Sequence, residues 1–400
     1  ITQANGDGAE ESVMNPAFAD EVVGTIQQST PAQAQEAIAI ALDAQRDWAN
    51  TSVQDRAALL RTAADLFEDN AAELFANLQR EAGKTINDAI SEVREAVDFL
   101  RYYAKEAKHA ERETQARGVI VCVSPWNFPL AIFIGQISAA LVTGNTVVAK
   151  SAEQTPLVAH KAVQLLLEAG ITPEALHLIP GKGADIGQTL VSDPRIAGVC
   201  FTGSTATAQT INKAIADNAD SDAILIAETG GLNAMIMDSS ALPEQVVRDV
   251  VASAFQSAGQ RCSALRVLFV QKDVEEKVIN MICGAMDQLS INDPTLLRTD
   301  VGPVIDQKAL SIINNHCQNM ESQGKLIKKL EVPAELTGSF AAPTLVRLNS
   351  IEELKQEIFG PVLHVVSYDV NDFDAVASSI NKTGYGLTFG VHSRIDGRVQ

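Results

Sequence analysis

The chain has 400 residues, 46% of them hydrophobic, and a formal net charge of −19. That length exceeds one core and predicts two domains of ordinary size. The acidic balance excludes a nucleic-acid footprint through this segment, since phosphate contacts need clustered Lys and Arg, and no apolar run reaches the roughly 18 residues of a membrane span.

Residues 1–104 are predicted to be mainly helical. Thr30-Pro31 is a helix start, an N-cap followed by Pro at the first helical position. An Ala-rich amphipathic stretch runs from there to about Trp48. Two more are expected over 56–80 and 86–103, where Val93, Val97 and Leu100 keep helical spacing. All are read as packing faces of scaffold helices. Residues 105–117 are charged and aperiodic, which predicts a loop or a short exposed hairpin. From Gly118 short apolar strands are expected at 119–123, 146–149, 176–179, 199–201 and 224–227, with helices between them, one opening at Pro156. Such alternation implies a parallel α/β sheet covered on both faces, with ligands at the carboxyl ends of its strands. A second series follows: a strand at 234–237, a helix to Ser257, a strand at 265–270, helices to about Leu289 and over 307–323, and strands at 363–368 and 387–392. Gly230-Gly231 is the expected domain hinge. The domains are set at 1–229 and 230–400, with a cleft between them collecting loops from both.

The chemistry-bearing residues fall at strand ends. Ser124-Pro125-Trp126-Asn127-Phe128-Pro129 ends the first parallel strand. Its aromatics can wall a cleft, and the Asn127 amide can stabilise an oxyanion. The plain alternative is a proline-rich turn with packed aromatics. Lys150 and Glu153 end the next strand and can both hydrogen-bond a ribose diol; Glu153 would repel a 2′-phosphate. A solvated turn capping a helix at Thr155-Pro156 is the alternative. Phe201-Thr202-Gly203-Ser204-Thr205 joins a strand to a helix whose N-terminus is a natural seat for a pyrophosphate. Gly181-Lys182-Gly183-Ala184-Asp185-Ile186-Gly187 is GxGxxxG, a weak signal by itself. Glu228 closes a strand and is a candidate general base. Glu357-Ile358-Phe359-Gly360-Pro361 offers a carboxylate for a ribose and an aromatic for a nicotinamide. The alternatives are a capping glutamate and a turn before a strand. Cys262 sits in the turn Gly259-Gln260-Arg261-Cys262-Ser263, between a helix and an apolar strand, where a thiol can project into a cleft as a nucleophile. A half-buried structural cysteine is the plain alternative.

The five cysteines are odd in number and include no CxxC pair, which predicts reduced thiols in a cytosol-like compartment. The six histidines are scattered, so no metal site is expected. There is no signal-peptide pattern at the start. The chain starts at Ile1 and stops at Gln400 just after a strand-like run, and it is read as a fragment of something longer.

Taken together, these residues resemble the aldehyde dehydrogenase superfamily, with landmarks from Asn15-Pro16 to Tyr385-Gly386-Leu387-Thr388. The runs 129–136, 227–235 and 259–266 are similar to the dehydrogenase module of the bacterial proline utilization A family. The resemblance implies an α/β fold of two Rossmann-type domains, an NAD-binding one over 1–229 and a catalytic one over 230–400, C-terminally incomplete. It implies NAD-dependent oxidation of an aldehyde, L-glutamate γ-semialdehyde from pyrroline-5-carboxylate, to L-glutamate in proline catabolism. Cys262 would be the nucleophile, Asn127 with the Cys262 N–H the oxyanion donors, and Glu228 the activator of water. NAD would lie against Ser124, Pro125, Trp126, Lys150, Glu153, Gly183, Phe201, Gly203, Ser204, Glu357 and Phe359. Phe128 and Ser263 would touch the substrate. The resemblance also implies an upstream FAD-dependent proline dehydrogenase in the parent chain, a homodimer when the C-terminus is complete, and a cytoplasmic protein with peripheral membrane association through the parent. Ala208 stands where many relatives have Gly, so the helix is expected to meet the sheet slightly differently. The Gly-rich segment that completes the aldehyde site is missing, so the fragment is expected to be impaired or inactive. Two further readings stay open: another aldehyde dehydrogenase, such as one for succinate semialdehyde, and a non-catalytic nucleotide-binding module. Retention of Cys262, Glu228 and Asn127 together argues against the second.

Overall fold

The structure, a computed structural model, describes residues 8–110 and 115–399. The chain divides into two units. One comprises Ile1–Asn15, Asp20–Ala82 and Ile86–Thr229; the other comprises Pro16–Ala19, Gly83–Thr85 and Gly230–Gln400.

The first unit opens with an antiparallel hairpin of β1 (Glu10–Met14) and β2 (Val22–Gln27). The sequence signals no strand here, because only Val13, Val23 and Ile26 turn inward. Four helices follow: α1 (Pro31–Asn50), α2 (Val53–Asp69), α3 (Ala71–Ala82) and α4 (Ile86–Ala110). Thr30 starts α1 with a capping box: its Oγ1 accepts from Gln33 N, and Gln33 Oε1 accepts from Thr30 N. The single helix expected over 56–80 is two. Asn70 ends α2 by donating its backbone N–H and its Nδ2 to Leu66 O, as a helix-terminating Asn does. The loop or hairpin expected over 105–117 is also corrected, because α4 continues through Ala110. Ala104 and Ala107 extend the buried face of Val93, Ala96, Val97 and Leu100; alanine carries that spacing with little hydrophobic contrast. Residues 111–114 lie outside the described residues.

The rest of this unit alternates β3 (Val119–Val123), α5 (Ala131–Val142), β4 (Thr146–Lys150), α6 (Pro156–Glu168), β5 (Leu176–Leu178), α7 (Gln188–Val191), β6 (Gly198–Gly203), α8 (Thr205–Asn218) and β7 (Ile224–Thr229). The strands form a parallel sheet of order β5-β4-β3-β6-β7. Side chains alternate along β3. Ile120 and Cys122 pack in a layer with α2–α6, while Val119 and Val121 pack with α1, α7 and α8. Ala208 is buried in the second layer. Strand order reverses between β3 and β6, so their carboxyl ends form the topological switch point where open α/β sheets take ligands.

The second unit contains β8 (Ala234–Met237), α9 (Pro243–Phe255), β9 (Val267–Gln271), α10 (Glu275–Met286), α11 (Gln307–Ser322), β10 (Leu326–Lys329), β11 (Thr344–Leu348), β12 (Val362–Tyr368), α12 (Phe373–Asn381), β13 (Phe389–His392) and α13 (Asp396–Val399). Its sheet has the order β10-β11-β12-β9-β8-β13, parallel except for β10. The helix expected to reach Ser257 stops at Phe255, because Ser257, Ala258 and Gly259 all turn left-handed, with φ of 53°, 52° and 68°. The strand expected from 265 starts at Val267; Asn233 O takes the N–H groups of both Arg266 and Val267.

Candidate active site

Three helices of the first unit start just beyond the carboxyl ends of its central strands. Two N-termini are already compensated. Glu92 of α4 accepts from Leu130 N at 2.8 Å and Ala131 N at 3.3 Å, capping α5. Glu81 of α3 accepts from Leu157 N at 2.5 Å and Val158 N at 2.9 Å, capping α6. This corrects the cap expected at Thr155, whose side chain makes no cap bond. Burial pushes the Glu81 carboxyl up to about 8, against the two N–H groups that favour its charged form. The third helix, α8, is capped by its own Ser204, whose Oγ accepts from Thr207 N at 3.2 Å. Ser204 is exposed. Of these three termini, α8 alone combines a positive dipole end with no buried carboxyl group on it, and it lies at the switch point.

On the other side of β3, β4 and the loop after β5 converge. Lys150 is buried and donates to Ser151 O at 3.1 Å; burial lowers its ammonium to about 8. Glu153 is exposed and accepts from Gly183 N at 2.6 Å. The segment Gly183–Gly187 forms a π-helical turn, a form often found at functional sites. Ser124 Oγ, Ser151 Oγ and Thr155 Oγ1 at these strand ends are buried without a hydrogen-bond partner. A helix terminus for a diphosphate, a Lys–Glu pair for a diol and hydroxyls in need of partners fit a dinucleotide. Ser124 and Pro125 are buried, and Trp126, Asn127 and Phe128 are half-buried, Phe128 resting on the core. Gly203 is half-buried, but the Phe201 ring belongs to the core, so only its backbone is available to a ligand. Glu228 is exposed on the edge strand β7, opposite Thr202 of β6.

In the second unit the left-handed turn delivers Cys262. Gly259 has φ +68°, and an added Cβ would overlap Gly360 O, so no other residue fits there. Two consecutive left-handed non-glycine residues, Ser257 and Ala258, cost about 1–2 kcal/mol each, a strain typical of functional turns. Four side chains hold the turn in place. Gln260 donates to Pro303 O at 3.3 Å and accepts from Ile305 N at 2.8 Å. Asn233 Nδ2 donates to Cys262 O at 2.6 Å and Ala264 O at 3.0 Å, and its Oδ1 accepts from Thr388 N at 3.2 Å. Thr388 Oγ1 donates to Ser263 O at 3.4 Å.

Arg266, 1% exposed, is the fourth. It donates to Glu357 Oε1 from Nε at 3.0 Å and from Nη2 at 2.8 Å. Nη1 donates to Gly259 O at 2.7 Å and Gly360 O at 3.3 Å, and Nη2 also donates to Arg261 O at 3.0 Å. Its guanidinium lies 5.2 Å from the Phe359 ring centroid. Gly230 leaves room for Glu357, since a Cβ there would overlap Oε2. Burial raises the Glu357 carboxyl and Arg266 pulls it back. Cys262 and Ser263 are half-buried. Burial raises the Cys262 thiol and Glu357 adds to the rise, while backbone N–H groups and Arg261 oppose it. Behind Arg266, His364 Nδ1 donates to Arg266 O and its Nε2 meets His316 Nε2, both at 2.9 Å. Burial lowers His364 to about 3, so it is neutral and its bare nitrogen accepts from His316.

The structure thus groups Lys150, Glu153 and Gly183 in one unit, and Cys262, Glu357 and Phe359 around Arg266 in the other. Sequence reasoning missed Glu81, Glu92, Asn233 and Arg266. Their signals were weak: carboxylates on charged helices, an Asn after Gly-Gly and an Arg opening an apolar strand. Among the described residues no group of His, Cys, Asp and Glu could hold a metal ion, and no helix is long and apolar enough to cross a membrane.

A dinucleotide seat at the switch point of the first unit defines a class, the dinucleotide-dependent oxidoreductases. The chain belongs to the aldehyde dehydrogenase family, whose model matches residues 2–400. It is 49% identical to the bifunctional protein PutA of Klebsiella aerogenes over 99% of its length, and spans 31% of that protein. It is 37% identical to the 1-pyrroline-5-carboxylate dehydrogenase of Geobacillus thermodenitrificans, over 95% of this chain and 77% of that one. The structure of a Thermus 1-pyrroline-5-carboxylate dehydrogenase with bound NAD superposes with a TM-score of 0.92 at 33% identity, covering 98% of this chain and 80% of that one. The chain therefore spans about a third of the length of the PutA relatives it matches.

Proposed function

We propose that this chain is the NAD-dependent dehydrogenase module of a bifunctional proline-catabolic enzyme, and that it oxidises L-glutamate γ-semialdehyde to L-glutamate. The observation that carries the substrate is the near-full-length similarity to both PutA and free-standing 1-pyrroline-5-carboxylate dehydrogenases. The same similarity supports an upstream flavin-dependent proline dehydrogenase in the parent chain. The first unit is the cofactor domain: α8 and Ser204 seat the diphosphate, Lys150 and Glu153 take the adenosine ribose, and Gly183 keeps that wall low. Glu153 disfavours a 2′-phosphate and so selects NAD over NADP. Glu357 takes the nicotinamide ribose and Phe359 flanks the ring.

The Cys262 thiol gives its proton to solvent, and its thiolate Sγ attacks the aldehyde carbon while the C=O π pair moves to the oxygen. The Cys262 N–H and the Asn127 amide hold the oxyanion of the hemithioacetal. NAD, when bound, supplies the hydride acceptor whose action leaves a thioester on Cys262. Glu228 takes a proton from water, the resulting hydroxide attacks the thioester carbon, and the C–S bond breaks to release the acid and the thiol. Ser263 and Phe128 contact the substrate beyond its aldehyde. The test is NADH formation by the full-length protein with pyrroline-5-carboxylate, succinate semialdehyde or propionaldehyde, for wild type and Cys262→Ser. Turnover that prefers pyrroline-5-carboxylate and vanishes in the variant supports the reading. Preference for succinate semialdehyde overturns the substrate, and activity in Cys262→Ser overturns the mechanism.

A further inference from the structure

Every N–H of the Arg266 guanidinium is used. Nε has one donor and each terminal nitrogen has two, and the structure shows bonds from Nε to Glu357, from Nη1 to Gly259 O and Gly360 O, and from Nη2 to Arg261 O and Glu357. A surface arginine serving only as an ion-pair partner would not be buried and saturated in this way. The bond to Arg261 O has a geometric consequence. Arg261 C=O and Cys262 N–H belong to one planar trans peptide and point in opposite directions. Whatever anchors that carbonyl therefore aims the N–H of the nucleophile. The bond to Gly259 O holds the left-handed turn that leads into the same peptide. The backbone of Arg266 is itself fixed, because His364 N and His364 Nδ1 both donate to its carbonyl at 2.9 Å.

We infer that Arg266 is a positioning residue for the oxyanion donor: by gripping Arg261 O and Gly259 O it aims the Cys262 N–H, and by gripping Glu357 Oε1 it ties that peptide to the carboxylate proposed to bind the cofactor ribose. The inference rests on the proposed roles of Cys262 and its N–H. Lysine cannot replace it, because a single ammonium offers three donors from one point and cannot fork between these acceptors. The role separates two reactions of the same thiol. Alkylation by iodoacetamide displaces iodide from a saturated carbon and forms no oxyanion. Acylation by 4-nitrophenyl acetate passes through a tetrahedral oxyanion, which collapses to expel 4-nitrophenolate and leave an acetyl thioester on Cys262.

The experiment compares both rates, across pH, in full-length wild type, Arg266→Lys and Cys262→Ser. Losing one oxyanion donor slows catalysis about 100- to 1,000-fold, so misaiming it in Arg266→Lys is expected to slow acylation about 10- to 100-fold. Alkylation, which needs no oxyanion donor, should slow at least about tenfold less than acylation. In Arg266→Ala, added guanidinium should restore part of the acylation rate. Equal slowing of both reactions, or no slowing of either, overturns the inference, and so does a failure of both variants to fold with no rescue by guanidinium. Residual thiol chemistry at the same rate in Cys262→Ser would instead overturn the reading of Cys262.

Discussion

Glu81→Gln should change how stability depends on pH. Glu81 is fully buried, and its folded carboxyl is pushed from 4.5 to about 8. A carboxyl raised in the folded state binds more protons there than in the unfolded chain. Its stabilising contribution is therefore fully present below pH 4.5 and is lost as pH rises through about 8. A tenfold difference in proton affinity between the folded and unfolded chain is worth about 1.4 kcal/mol, so the wild type loses about 3 kcal/mol from this group by pH 7 and about 5 kcal/mol above pH 9. Glutamine keeps one acceptor oxygen for Leu157 N or Val158 N and does not titrate. Denaturant unfolding of the first unit, followed from pH 4 to 9 in both proteins, should show a stability difference that moves towards the variant by that amount. Parallel pH profiles would refute the reasoning and show that the two N–H groups of α6 outweigh burial and keep Glu81 ionised at neutral pH.

Other consequences concern the sites. Lys150 loses its proton at about 8, so NAD affinity measured by calorimetry should weaken as pH rises through that value, and Lys150→Met should bind weakly with no such dependence. Asn233→Ala leaves Cys262 O, Ala264 O and Thr388 N without their side-chain partner; at about 1–3 kcal/mol per buried orphan group, a stability loss of at least about 3 kcal/mol should appear in thermal unfolding. Gly259→Ala must adopt a left-handed φ and clash with Gly360 O; it should lower stability by at least about 1–2 kcal/mol and slow alkylation of Cys262 by iodoacetamide.

The parallel strands were legible because sheets covered on both faces give continuous apolar runs, as in Val119–Val123 and Thr146–Lys150. The Cys262 turn, the Lys150–Glu153 pair and Ser204 were legible as positions, since strand–helix junctions and cap residues mark themselves locally. What was not legible depends on distance along the chain. Glu81 caps a helix that begins about 75 residues later, and Arg266 is paired with Glu357 about 90 residues on. Nothing at either position announces its partner. The hairpin β1–β2 was missed because its inward side carries only three apolar residues, Val13, Val23 and Ile26. The end of α4 was missed because Ala104 and Ala107, which carry its buried face onward, are alanines among charges.

The most direct test of the account is mass analysis of Cys262 during turnover. Full-length Glu228→Gln protein, mixed with NAD and pyrroline-5-carboxylate and quenched in acid, should release about one equivalent of NADH per site and then stall, because the base that activates water is gone. The peptide containing Cys262 should carry the glutamyl thioester, with Cys122, Cys200, Cys283 and Cys317 unmodified. A burst of NADH with Cys262 unmodified, or with the acyl group on another cysteine, would contradict it.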